Sequence, residues 1–204
     1  VPAAPVPCPP GERVGELALH RMPLTDGAVL ETGCVYIVPL QESLKLPKGV
    51  AATANPKSST GRLDIFTRVI TDYAQEFDKV PEAYEGPLYA EISPRTFPIL
   101  ARTGSRLSQI RFRAGASLAS DALIRQLHET EGLIASGDVN IDNGLALSVD
   151  LSSFAAEGPV GFRAKRHAGL VDVDKKAALN VADFWEPIWQ RGSLVLDPDQ
   201  FYIL

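Results

Sequence analysis

The sequence predicts a mainly β fold with one or two helices. Proline and glycine stand at 16 each in 204 residues, which favours a turn-rich chain. Short alternating or β-branched runs recur at close spacing between turn signals, the pattern of a barrel or sandwich. One segment alone carries its apolar residues at helical spacing.

Taken in order, residues 1–14 read as a Pro-rich arm. Residues 15–26 are mixed, with Leu17, Leu19 and Met22 as candidate strand positions. Gly27 to Leu40 reads as a hairpin, its arms Ala28–Leu30 and Cys34–Val38 around Glu31-Thr32-Gly33. Pro47-Lys48-Gly49 is a turn signal before Val50–Ala54. The polar stretch 55–61 follows, and Leu63 to Thr71 returns to apolar and β-branched residues. Gly86–Ile92, Phe97–Leu100 and Leu107–Phe112 alternate as strands. Leu123, Ile124 and Leu127 mark a helix over 120–131, with Asp121 near its start and Gly132 at its end. Leu145–Leu151 alternates again, and Val160–His167 and Leu170–Val173 are further strand candidates.

Composition excludes several classes. Apolar residues make up 45% and charged residues 22%, enough for a packed core. A net charge of −5 with pI near 5.2 argues against a general nucleic-acid binder. No apolar run reaches the length of a membrane span. The N-terminus is apolar but broken by proline and lacks a basic start, so it is not read as a signal peptide; without an initiator Met, the chain reads as processed or as a fragment. Cys8 and Cys34 make no disulfide framework and point to a reducing, cytoplasmic compartment. His20, His128 and His167 are scattered, without zinc-ligand spacing, so no protein-held metal is expected.

Two segments could carry chemistry. Pro56-Lys-Ser-Ser-Thr-Gly-Arg-Leu63 combines backbone N–H groups, hydroxyls, a Lys and an Arg between apolar strands. It reads either as a nest for phosphate oxygens or as a plain turn with solvated charges. It lacks the Walker pattern. In Gly86–Ile92, strand alternation puts Leu88, Ala90 and Ile92 on one face and Pro87, Tyr89 and Glu91 on the other. Glu91 is then either a base on a partly apolar face or a solvent-facing charge on an edge strand. Lys165-Arg166-His167 with Lys175-Lys176 forms a basic cluster, read as a phosphate site or a solvated loop. Trp185 and Trp189 could stack a base or pack in a core or interface.

Together the segments form an ordered pattern. It runs Lys57-Ser-Ser-x-x-Arg62-Leu63, then Gly86-x-Leu88-x-x-Glu91, then Pro98-Ile-Leu100, then Gly104-x-x-Leu-x-Gln-Ile-x-Phe112. This resembles the deoxycytidine triphosphate deaminase branch of the dUTPase-like family. The likeness runs from about Gly27 to Phe112, roughly half of the chain. The resemblance implies a distorted β-barrel that assembles as a trimer or pseudo-trimer, with sites at subunit boundaries. It also implies hydrolytic deamination of dCTP to dUTP and ammonia.

By the same resemblance Glu91 matches the general base, Ser58 the residue that helps hold the water, and Arg62 the residue that supports both. Lys57 and Ser59 match phosphate-contacting positions, and Thr71, Asp72, Tyr84 and Gln109 other substrate-binding positions. Mg²⁺ would arrive bound to the triphosphate. The chain lacks the His-x-Glu and Pro-Cys-x-x-Cys ligand set of the zinc deaminases, so a carboxylate acting on a metal-free water is the expected device.

Asp78, ahead of Tyr84 and Gly86, leaves open a dUTPase or a bifunctional deaminase–diphosphatase. A third alternative is a non-catalytic nucleotide-binding or structural half of a duplicated protein. Leu30–Val38 lines up with Leu196–Leu204 at an offset of 166, which points to a two-module chain. The expected organisation is an arm at 1–14, a dUTPase-like barrel module at 15–115, a helical connector at 116–135 and the start of a second β module at 136–204. No nucleic-acid or membrane partner is expected.

Overall fold

A computed structural model of the chain describes residues 18–115, 119–152, 157–189 and 191–204. The Pro-rich arm and Cys8 lie outside them. Twelve strands and three helices are present among the described residues. The strands are β1 (Ala28–Leu30), β2 (Tyr36–Lys45), β3 (Val50–Pro56), β4 (Ile65–Thr71), β5 (Lys79–Val80), β6 (Glu85–Pro94), β7 (Ile99–Ala101), β8 (Ser108–Ala114), β9 (Gly161–Ala164), β10 (Val171–Asp172), β11 (Trp185–Ile188) and β12 (Tyr202–Ile203). The helices are α1 (Ser58–Gly61), α2 (Asp121–Glu131) and α3 (Val181–Phe184).

The mainly β expectation holds. The described strands form four three-stranded sheets, ordered β1-β7-β10, β2-β6-β4, β5-β3-β8 and β11-β9-β12, rather than one closed ladder. The sheet that matters most is β2-β6-β4. There β6 is central and antiparallel to both neighbours. Its alternation follows the sequence: Leu88, Ala90 and Ile92 are buried in the core with Ile65, Val69 and Thr71 of β4.

Two clusters make the core. One joins Leu30, Ile65, Ile92, Phe97 and Ile99 to Ala164, Val171 and Phe184 from the C-terminal part. Phe97 is fully buried and meets Phe184 and Trp185 edge-on, with ring centroids 5.6 Å away in each case. Such pairs add about 0.5–1.5 kcal/mol beyond the area they bury. Trp185, half-buried, thus packs against this core, whereas Trp189 is 61% exposed. The second cluster packs Ala52, Ala54, Val69, Val80, Tyr84 and Leu88.

Three expectations are corrected. Gly27 to Leu40 is not a hairpin: β1 pairs with β7 and β2 with β6. The Glu31–Gly33 turn carries the chain between sheets, with the Gly33 N–H on the Pro94 carbonyl at 3.1 Å. Pairing with β7 places Leu30 in the core, where it is 1% exposed. Leu145–Leu151 is not a strand; only an isolated bridge, Ile141 with Leu145, forms there. Leu147 and Val149 are exposed, so the alternation has no partner face to bury against. The Lys-Ser-Ser segment is a one-turn helix rather than a bare turn.

The helix over 121–131 appears as expected. Ser120 caps it by accepting from the Leu123 N–H, and Gly132 closes it at φ 64°. None of its residues is buried. No helix among the described residues is long and apolar enough to cross a membrane.

Each copy of the nine-residue repeat makes the same internal hydrogen bond. The Glu31 N–H donates to the Tyr36 hydroxyl at 2.9 Å, and the Asp197 N–H donates to the Tyr202 hydroxyl at 3.2 Å. Each copy then enters a strand, β2 or β12.

Candidate active site

Glu91 stands at the centre of β6, opposite Ile37 of β2 and Arg68 of β4. Cross-strand partners share a face, so Arg68 and Glu91 both point away from the Leu88–Ala90–Ile92 core. That outer face also carries Phe66, Ile70 and Tyr89. Glu91 is only 7% exposed. It is therefore a buried carboxylate, not the solvent-facing edge charge of the alternative reading. Its Oε1 accepts from Arg68 Nη2 at 2.6 Å and from Nε at 3.2 Å. The Arg68 guanidinium lies 3.6 Å from the centre of the Phe77 ring and 4.8 Å from that of Phe66.

The Lys-Ser-Ser segment lies beyond the Ile65 end of β4. The Lys57 carbonyl accepts from both Thr60 and Gly61, which closes the helical turn. The Thr60 hydroxyl, 2% exposed, donates to the Leu107 carbonyl at 2.8 Å and anchors the turn to the strand leading into β8. Ser58 and Ser59 remain exposed, as does Arg62, whose Nε donates to the Ser58 carbonyl at 3.3 Å. The N–H groups of a first helical turn have no intrahelical acceptor, so Ser58 and Ser59 offer donors outward. Asp64, at φ 53°, ends this connection and accepts from the Thr96 hydroxyl at 2.7 Å.

Thr71, Asp72 and Tyr84 cluster at the opposite end of β4. The Tyr84 hydroxyl accepts from the Asp72 N–H at 3.1 Å and donates to the Pro87 carbonyl. Burial raises the Tyr84 pKa, which keeps the phenol protonated as a donor. The Thr71 hydroxyl is buried and makes no hydrogen bond among the described residues. Gly86 sits against this group, where an added Cβ would meet the Tyr84 hydroxyl at 2.9 Å. Gln109 is exposed on β8, opposite Asn55.

The predicted residues thus fall into separate groups. Lys57, Ser58, Ser59 and Arg62 form one, and Thr71, Asp72 and Tyr84 another. Glu91 lies between the two ends of β4, and Gln109 stands on a different sheet. No hydrogen bond among the described residues joins Glu91 to Ser58 or Arg62. Sequence reasoning missed Arg68 and Phe77. Arg68 alternates correctly for the Glu91 face, but strand register brings the two together, and register is not legible in β4 alone.

Asp78 serves a different end. Its Oδ1 accepts from the Val69 N–H at 2.8 Å, at the turn where its own φ is 60°. Burial raises its pKa, partly offset by the Val69 hydrogen bond and by the Arg68 charge. Among the described residues no three His, Cys, Asp or Glu stand together as a metal cage. In the basic cluster, Lys165 donates to the Ala182 carbonyl at 2.6 Å and Lys175 pairs with Asp172 at 3.5 Å.

Comparison with known families places this geometry. The family model described as the 2'-deoxycytidine 5'-triphosphate deaminase N-terminal domain matches residues 10–116. The C-terminal domain model of the same family matches residues 120–204. The chain belongs to the 2'-deoxycytidine 5'-triphosphate deaminase family. A solved structure of 2'-deoxycytidine 5'-triphosphate deaminase from Agrobacterium tumefaciens is 59% identical, with a TM-score of 0.91 over 100% of this chain. The chain spans 60% of that protein's length. A search of curated protein sequences returned no match. Within this deaminase family, the Lys57–Leu63 segment and Glu91 both fall inside the N-terminal match.

Proposed function

We propose that this chain supplies the site for hydrolytic deamination of dCTP to dUTP and ammonia, with Glu91 as general base. One observation carries the reading: a buried carboxylate on the outer face of the central strand, within a chain of this family. In the proposed reaction Glu91 takes a proton from water as its oxygen bonds to C4 of the cytosine ring. Glu91 passes that proton to the ring nitrogen N3, where it stays. The remaining proton of the added hydroxyl is then carried to the amine as the C4–N bond breaks, so that ammonia leaves and C4 becomes a carbonyl. A site closed to bulk water strengthens each of these interactions.

The exposed hydroxyls of Ser58 and Ser59 and the Lys57 and Arg62 charges suit a polyanionic nucleotide. Because they make no hydrogen bond to Glu91 in one chain, we assign them to the Glu91 site of a neighbouring copy. A trimer or pseudo-trimer would provide that arrangement. Thr71, Asp72 and Tyr84 would line the base or sugar, and Gln109 would contact substrate from β8. Mg²⁺ enters as part of the nucleotide, carried on phosphate oxygens, and needs no cage of protein carboxylates. Cytoplasmic nucleotide metabolism is the setting this implies.

The test is incubation with dCTP, and separately dUTP, in Mg²⁺, following ammonia and pyrophosphate independently. Ammonia from dCTP that disappears in Glu91→Gln supports the reading. Pyrophosphate released from dUTP would establish a diphosphatase activity, alone or in addition. Nucleotide-induced thermal stabilisation with no turnover would make the chain a binding module.

A further inference from the structure

Among the described ion pairs, Arg68–Glu91 is the most enclosed, with side chains 25% and 9% exposed. Its geometry is one-sided. Both guanidinium contacts converge on Oε1, at 2.6 and 3.2 Å, and no hydrogen bond among the described residues reaches Oε2. The guanidinium is itself held, its face on the Phe77 ring at 3.6 Å. Antiparallel register places Arg68 directly opposite Glu91, so the pairing is built into the sheet.

We propose that Arg68 is a positioning residue for Glu91. It caps one carboxylate oxygen, fixes the carboxylate's rotation, and leaves the other oxygen to take the proton from water. This rests on the deaminase reading above. Its physical basis is that a base must sit within hydrogen-bond reach of the proton it abstracts, and a freely rotating carboxylate spends little time there. Phe77 acts at one remove, by keeping the guanidinium from swinging out to solvent. Arg68 acts through Glu91 and is not assigned a contact with substrate.

The experiment compares wild type with R68M, R68K and R68A in steady-state dCTP deamination. The folded fraction of each is checked by thermal unfolding. R68M keeps apolar contact with Phe77 but removes the charge, and kcat should fall about 10- to 100-fold with KM within about twofold. That loss is part of the roughly 10²–10⁴-fold that a placed acid–base group supplies. R68K, which keeps charge but not the fork, should recover part of it. Guanidinium ion at low, non-denaturing concentration should raise R68A turnover and leave E91Q unchanged. A purely structural role would not produce that rescue.

A wild-type kcat in R68M overturns the proposal. So does a raised KM at constant kcat, which would make Arg68 a substrate contact. Loss of turnover that tracks the unfolded fraction and resists both R68K and guanidinium also overturns it. A wild-type chain that releases no ammonia removes the deaminase reading and this role with it. Wild-type turnover with an indifferent R68M removes this role alone.

Discussion

The Tyr84 hydroxyl bridges the Asp72 backbone N–H and the Pro87 carbonyl, tying the end of β4 to the start of β6. One buried phenol thus links the two strands that carry Arg68 and Glu91. Tyr84→Phe keeps the ring but leaves both backbone groups without that partner. It should cost about 1–3 kcal/mol in urea unfolding. If the Asp72 turn contacts nucleotide as proposed, KM for dCTP should rise as well. An unchanged midpoint would show that water replaces the hydroxyl.

If Glu91 and Ser58 meet across two copies, as proposed, mixing variants should restore activity. Glu91→Gln and Ser58→Ala should each abolish most turnover alone. When the two variants are mixed after reversible dissociation, hybrid assemblies acquire boundaries with one intact Glu91 and one intact Ser58. In a cyclic assembly with equal mixing, about a quarter of boundaries are complete. Activity should recover toward that fraction. No recovery, with mass spectrometry showing that hybrids form, would place both groups in one chain's own site.

Gly161 tests how the C-terminal sheet is held. It pairs with Ile188 in β11, and an added Cβ would collide with the Ile203 carbonyl of β12. A backbone atom cannot swing aside as a flexible side chain can. Gly161→Ala should therefore separate β9 from β12 and cost about 1–3 kcal/mol. Hydrogen exchange at Ala164, whose N–H donates to the Phe201 carbonyl at 2.9 Å, should speed up more than exchange in β6.

Two carboxylates should bend the pH–stability curve in opposite senses. The Arg102 guanidinium bonds Asp172 at 2.8 and 2.9 Å and holds its carboxyl below the usual range. There the unfolded chain binds more protons, so this contribution is present above the unfolded pKa and is lost as pH falls through the folded one. Asp78 is shifted up by burial. There the folded chain binds more protons, so stability declines as pH rises from the unfolded pKa through the folded one. Asp172→Asn should flatten the acid limb and Asp78→Asn the decline above it, measured by urea unfolding across pH 2–7. A parallel curve for Asp78→Asn would remove Asp78 as the titrating group.

Local features of this protein were legible in the chain alone. Helix 121–131 is legible from the spacing of Leu123, Ile124 and Leu127, from Asp121 near its start and from Gly132 at its end, because these signals act within a few residues. The period of β6 separates Glu91 from Leu88, Ala90 and Ile92 without knowledge of any partner strand. The Lys57–Leu63 motif and Glu91 marked the family, and the paired Tyr36 and Tyr202 bonds echo the repeat. Other features were decided by tertiary structure. The β-rich run at 28–30 pairs with β7 rather than with its neighbour, and in that pairing Leu30 is buried. The run at 145–151 stays out of any sheet, because alternation specifies a face but not something to cover it. Val171 joins β7 in parallel and Phe184 packs on Phe97, so residues far along the chain complete the first core. The pairing of Arg68 with Glu91, 23 residues apart in the chain, depends on the register between β4 and β6, and register follows from the buried face of the whole sheet.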